Sequence, residues 1–206
     1  MTIEIWLTFV AVVVVFAVIP GPTVILVVGQ AISHGKKSVI PLVSGVLLGD
    51  FVAMSLSLLG MGAILATSAS LFFALKWFGV LYLIYLGIKT WRENPSISTT
   101  FEVINVPKQQ MFKSSFLVTA LNPKDIIFFV AFLPQFINPE SETLPQLLIL
   151  MFTFLGIVSI TITSFAIFAG LVSHKIQNYN ARKKLNRIGG GALIGAGLIT
   201  STMQRA

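Results

Sequence analysis

Apolar residues in this chain fall into long unbroken runs, and short polar stretches between them carry nearly all the charge. A helix needs roughly 20 mostly apolar residues to cross about 30 Å of hydrocarbon. Six runs reach or approach that length: 3–28, 39–64, 71–88, 112–133, 144–172 and 188–203. The last is the shortest and is rich in glycine, with Gly189, Gly190, Gly191, Gly195 and Gly197. The first is read as a span and not as a cleaved signal. Glu4 stands where a basic cluster would, and no small-x-small cleavage site follows. The pattern predicts an all-α polytopic membrane protein with six transmembrane helices. It forms one domain over 1–206, with halves 1–94 and 108–206 joined by a cytoplasmic loop.

Composition sharpens this reading. Charged residues make up 10 % of the 206, against roughly 25 % in ordinary globular proteins. Hydrophobic residues make up 55 % and the mean hydropathy is +0.91. So few charges cannot solvate the surface of a soluble domain, and disorder needs the opposite balance. The absence of cysteine removes disulfides, thiol redox chemistry and Cys-based metal sites. The two histidines, His34 and His174, sit beside lysine-rich stretches, so no metal centre and no cofactor is expected.

The net charge of +7 would suggest nucleic acid in a soluble protein. Its placement says otherwise. Eleven of the 14 basic residues fall on one side of the spans. They are Lys36 and Lys37, then Lys89, Arg92, Lys108 and Lys113, then Lys175, Arg182, Lys183, Lys184 and Arg187. The other side holds Lys76 and Arg205 with the acids Glu140 and Glu142, and Lys124 lies within a span. An excess of Lys and Arg marks cytoplasmic loops, so both termini are expected outside the cytoplasm. The positive charge is thus a topology signal, and no nucleic-acid partner is expected. Trp6, Trp77, Tyr82 and Trp91 lie near span ends, where aromatic rings anchor at the lipid headgroups.

A membrane anchor needs only plain apolar helices, yet two spans are interrupted. The first contains Pro20-Gly21-Pro22, and the fourth contains Asn122-Pro123-Lys124-Asp125. Each proline removes a backbone donor, which frees the carbonyls of Phe16, Val18 and Thr119 four residues earlier. Such breaks are tolerated only inside a bundle or beside a wet cavity. A simple proline kink is the plain alternative. The two breaks open the two three-span halves, and an odd number of spans per half inverts one half against the other. Paired broken helices of this kind point to a transporter site at the midplane. The expected architecture is two inverted three-helix repeats with helices 1 and 4 broken.

Three ionisable residues lie at membrane depth: Asp50, Lys124 and Asp125. Such residues usually face the interior and mark pathways. Asp50 follows Gly45-x-x-x-Gly49, a spacing that lets helices pack closely. Helical spacing groups it with Val46, Ala53 and Ser57 on one face. One reading is a structural Asp50–Lys124 ion pair. Another is a site for a zwitterionic amino acid. Lys124 and freed helix N-terminal amides would then suit its carboxylate. Asp50, Asp125 and the carbonyls of Phe16 and Val18 would suit its ammonium. Either acid could instead carry a coupling proton.

At this point the residues resemble the LysE/RhtB family of bacterial amino-acid exporters, especially its threonine/homoserine-type members. The likeness rests on Ile19-Pro20-Gly21-Pro22, on Gly35 with Gly45-x-x-x-Gly49-Asp50, and on the stretch Lys76-Trp77-Phe78-Gly79-Val80-Leu81-Tyr82-Leu83-Ile84-Tyr85-Leu86-Gly87. It continues through Phe112-Lys113, Leu121-Asn122-Pro123-Lys124, Phe128-Phe129 and Leu133-Pro134-Gln135-Phe136 to the glycines after Arg187. The resemblance implies a six-helix secondary transporter of the bacterial inner (plasma) membrane that exports amino acids, driven by the proton gradient. It admits a homodimer. Neutral or hydroxy amino acids such as threonine or homoserine are favoured, and basic ones stay open. The site residues it carries over are Pro20, Gly21, Pro22, Asp50, Asn122, Pro123 and Lys124. Asp125 departs from the small apolar residue common at that place, and is either a ligand contact or a local ion-pair partner.

An enzyme is not expected. Neither histidine lies centrally in a span, and Gly49-Asp50 is the single Gly-Asp pair. The alternative to a carrier is a passive channel or a non-transporting helix-packing subunit. The expected partners are a small amino acid, a proton and membrane lipid.

Overall fold

A computed structural model describes residues 1–65, 106–138 and 141–169, with isolated helical positions between 77 and 92 and between 180 and 198. The predicted third and sixth spans, 71–88 and 188–203, lie largely outside the described residues, as do Lys76, Tyr82, Glu140, His174, Lys175, Arg182 and Arg205. Six α-helices make up the rest, with no strand among the described residues.

Helix α1 (Ile3–Val18) starts at Thr2, whose hydroxyl accepts the Ile5 N–H. It stops because Ile19 is extended ahead of Pro20 (φ −66°, ψ 119°). Gly21 is extended too, and Pro22 takes the first position of α2 (Pro22–His34), where its missing donor costs nothing. Gly35 ends α2 at φ +62°, a conformation that favours glycine. A 3₁₀ turn (Gly35–Ser38) leads into α3 (Val39–Leu65). Its 27 residues span about 40 Å, enough to cross a bilayer. The fourth predicted span is α4 (Lys108–Ala120) and α5 (Pro123–Phe132), bent by 47° at the break and continued by a 3₁₀ turn (Leu133–Phe136). Helix α6 (Thr143–Ile167) is the fifth.

The apolar helical run Pro22–Gly60 is 39 residues long, but it reverses at Gly35. Along α4 Thr23 pairs with Thr119 and Gln30 with Ser114, and just before its start Val106 donates its N–H to His34 Nε2, so α2 runs antiparallel to it. Gly45 meets Phe112 and Ser115 and Gly49 meets Phe116 and Thr119, so α3 runs parallel to α4. Helices α2 and α3 are therefore two opposed legs on one partner.

The same register continues beyond the breaks. Phe9 packs edge-on against Phe136 and Phe16 stacks on Phe128 at 4.2 Å, so α1 runs antiparallel to α5. The two broken spans thus lie side by side in opposite directions, and their breaks meet. Phe128, Phe129, Phe132 and Phe154 extend the aromatic cluster to α6, where Trp6 also donates its indole N–H to Thr153 at 3.0 Å. Outward positions such as Ile40, Leu59, Phe152 and Ile160 stay largely exposed. In water such a surface would be a liability. In lipid it is the covered face.

Candidate functional site

The site grows from what the two breaks do to the backbone. Pro20 has no N–H, so the Phe16 carbonyl has no helical partner. The Lys124 ammonium takes it at 3.1 Å, reaches the Ile19 carbonyl at 3.4 Å, and lies 4.0 Å from the centre of the Phe16 ring. The second carbonyl held is therefore that of Ile19, one residue beyond the expected Val18. At the other break the Thr119 carbonyl accepts the Asn122 N–H at 3.0 Å.

Asn122 organises the start of α5. Its Oδ1 accepts the Lys124 backbone N–H at 3.1 Å, and its Nδ2 donates to Asp125 Oδ2 at 2.7 Å. The same Nδ2 reaches Thr23 Oγ1 at 3.5 Å, and the Thr23 and Thr119 hydroxyls lie 3.3 Å apart. Helix α2 has no such cap at its start: Gly21 offers no side chain, and among the described residues no side chain bonds its first amides. One half-helix N-terminus is satisfied and the other remains open to an anion.

Asp50 comes from α3, on a buried face with Val46, Ala53 and Ser57. Gly49 lets that face close on α4: a Cβ there would stand 2.8 Å from the Phe116 carbonyl oxygen. Asp50 is 3 % exposed, and its Oδ1 has no hydrogen-bond partner among the described residues. Within the same set no lysine ammonium lies within 4.0 Å of Asp50 or Asp125. The contact Asp50–Lys124 ion pair weighed from sequence is thus replaced by a lysine on carbonyls and a carboxylate left unpartnered.

These groups line one cavity of about 40 Å³, room for a few waters at roughly 10–15 Å³ each. Of the eight residues nominated by sequence, Gly21, Asp50, Asn122, Lys124 and Asp125 line it. Pro20, Pro22 and Pro123 do not; they shape the breaks from the cavity's margin, and Pro22 and Pro123 are exposed. Sequence reasoning missed Thr23, and it missed the wall that α6 provides through Phe154, Val158 and Ile162. The α6 pattern marks no face, because its polar residues, such as Gln146, Thr153, Ser159 and Thr161, are scattered around an otherwise apolar helix. The lining thus brings an uncapped helix N-terminus and buried carboxylates to one cavity, groups that complement the two charges of a zwitterion.

The chain is similar in sequence to known membrane proteins. An uncharacterized membrane protein of Vibrio cholerae serotype O1 is 30 % identical over 202 residues, covering 98 % of both chains. The homoserine/homoserine lactone efflux protein of Salmonella typhimurium is 29 % identical over the full length of both. The leucine efflux protein of Enterobacter sp. (strain 638) is 32 % identical over 180 residues, or 85 % of this chain and 82 % of that one. No solved structure matches. The family described as LysE type translocator matches residues 14–203, and this multi-pass membrane protein belongs to it.

Proposed function

We propose that the chain is a secondary carrier that exports amino acids from the cytoplasm across the bacterial inner membrane. One observation carries the reading. A buried, unpartnered Asp50 carboxylate shares a cavity with Lys124, Asp125 and the uncapped start of α2, where two broken spans meet. A membrane protein retains an unpaired interior carboxylate when a cation or a proton has to visit it. The substrate carboxylate binds the first amides of α2, and its ammonium binds the carbonyls freed at the end of α1, with Asp50 as the negative charge across the cavity. Asp125, already bonded by Asn122, serves as a second negative charge or as a proton carrier.

The relatives' names point to export of small neutral amino acids and their derivatives. The apolar wall of Val46, Phe154, Val158 and Ile162 suits a neutral side chain. Two carboxylates and one ammonium in the same cavity support a coupling proton carried by one of the acids. The antiparallel broken spans support two inverted three-helix repeats in a single domain over 1–206, and the lysine- and arginine-rich loops support both termini outside. That architecture requires 1–94 and 108–206 to superpose through an in-plane two-fold axis.

Everted membrane vesicles test the function directly. Labelled leucine, homoserine, threonine and lysine are offered with and without a protonophore. Saturable uptake of the neutral substrates, abolished by the protonophore and showing counterflow, is expected. Non-saturable flux without counterflow would replace the carrier by a channel.

A further inference from the structure

The cavity already contains a primary ammonium in the place where an amino acid's own would bind. The end of α1 presents two carbonyls, from Phe16 and Ile19, beside the Phe16 ring face, and Lys124 Nζ occupies all three. Carbonyls at a helix C-terminus together with an aromatic face recognise any R–NH₃⁺ group. No basic residue in the last turn of α1 serves them, so the cation comes from another helix. Building on the carrier reading above, we propose that Lys124 is a tethered stand-in for the substrate ammonium. In the empty carrier it fills the carbonyl cradle. An arriving amino acid takes over that cradle and turns the lysine onto its own carboxylate.

Three observations support the exchange. A lysine serving only to neutralise buried acids would contact them, yet Asp50 Oδ1 is left without a partner in the same cavity. With the lysine in place the cavity holds only a few waters, so the head of an amino acid enters as the ammonium leaves. The side chain is also poised for the move. Its Cδ and Nζ pass 3.7 Å from where a Gly21 Cβ would stand, over the uncapped start of α2 where the carboxylate binds. A flexible four-carbon stem with three donors makes the swing without backbone movement. The exchange also keeps the freed carbonyls satisfied in both states, which a site at membrane depth requires.

Ethylammonium is the probe, since it carries the ammonium and no carboxylate. It is titrated against purified protein at constant ionic strength, with thermal unfolding as the readout and tetramethylammonium, which has no N–H, as control. Lys124→Ala opens the cradle, so ethylammonium should stabilise that variant with an apparent affinity about tenfold or more tighter than for the wild type. Tetramethylammonium should stabilise neither, and Lys124→Arg should behave like the wild type. If Lys124→Ala does not fold alone, ethylammonium present during extraction should rescue it. A variant that ethylammonium neither binds nor rescues, or equal binding to wild type and variant, overturns the proposal. This contrast is read without transport, so a wild-type protein that exports no amino acid would count against the function and not against the cradle.

Discussion

Lys124 and Phe16 are 108 positions apart in the chain, and they meet twice at one point. The lysine ammonium donates to the Phe16 carbonyl at 3.1 Å and sits 4.0 Å from the centre of the Phe16 ring. The contact ties the end of α1 to the start of α5 and thereby joins the two breaks. It also makes each break depend on the other. The carbonyl is available only because Pro20 has no N–H, and the lysine reaches it only because α5 restarts at Pro123.

The two prolines of the first break should therefore be unequal. A helix continued through the break would pair the N–H of residue 20 with the Phe16 carbonyl and that of residue 22 with Val18. Pro20→Ala supplies a donor that competes directly with Lys124. Pro22→Ala does not, because Pro22 sits at the first position of α2, where no partner is required. Efflux should fall by about tenfold in Pro20→Ala, the equivalent of one hydrogen bond to a charged group. It should stay near wild type in Pro22→Ala. Equal or reversed effects, measured at matched membrane abundance, would contradict the role given to the Phe16 carbonyl.

Asp50→Asn separates function from stability. Burying a carboxylate without a partner is costly, so the neutral amide should leave the unfolding temperature unchanged or raise it. Export should drop to near background, while the protein still reaches the membrane in normal amounts. A variant with wild-type efflux removes Asp50 from the pathway. One that is lost from the membrane makes it structural.

The parts of this site that were legible in the sequence are those where polar or helix-breaking residues interrupt apolar runs. Pro20-Gly21-Pro22 and Asn122-Pro123 announced the breaks, and Gly45-x-x-x-Gly49 announced the close approach that turned out to be α3 against α4. Asp50 stood out because a carboxylate in an apolar run has few uses. The partners were not legible. Nothing local says that Lys124 bonds Phe16 and Ile19 instead of an aspartate, because that choice depends on an antiparallel register between two helices. Thr23 carried no signal either, since an isolated threonine is unremarkable in a helix until Thr119 and Asn122 are brought beside it. Trp6 reads as an interfacial anchor, yet its indole N–H finds Thr153 on α6.

Asn122 does two things that substitution can pull apart. As N-cap of α5 it accepts the Lys124 backbone N–H, and through Nδ2 it holds Asp125 at 2.7 Å. Asn122→Ser keeps a capping oxygen and loses the hold on Asp125. Asn122→Ala loses both. The alanine variant should be less stable than the serine variant by about 1 kcal/mol, the usual worth of a cap. Both should show reduced efflux if the bond that fixes Asp125 matters to transport. Wild-type efflux in Asn122→Ser would reduce that bond to a local contact.

The approach of α3 to α4 sets where Asp50 stands, and two glycines of one helix test it against each other. A Cβ on Gly49 would come within 2.8 Å of the Phe116 carbonyl oxygen and 2.9 Å of the Thr119 Cβ. The first of these is backbone and cannot rotate away. Gly49→Ala must push the helices apart, at a cost of about 1–3 kcal/mol typical of overpacking, and must carry Asp50 away from the cavity. Among the described residues, no atom lies within 4 Å of where a Gly60 Cβ would stand. Gly60→Ala should therefore be neutral or stabilising by up to about 1 kcal/mol through helix propensity. Thermal unfolding of the two variants in the same detergent, followed by efflux, provides the comparison. If Gly49→Ala melts like Gly60→Ala and exports normally, close packing at Gly49 does not position Asp50.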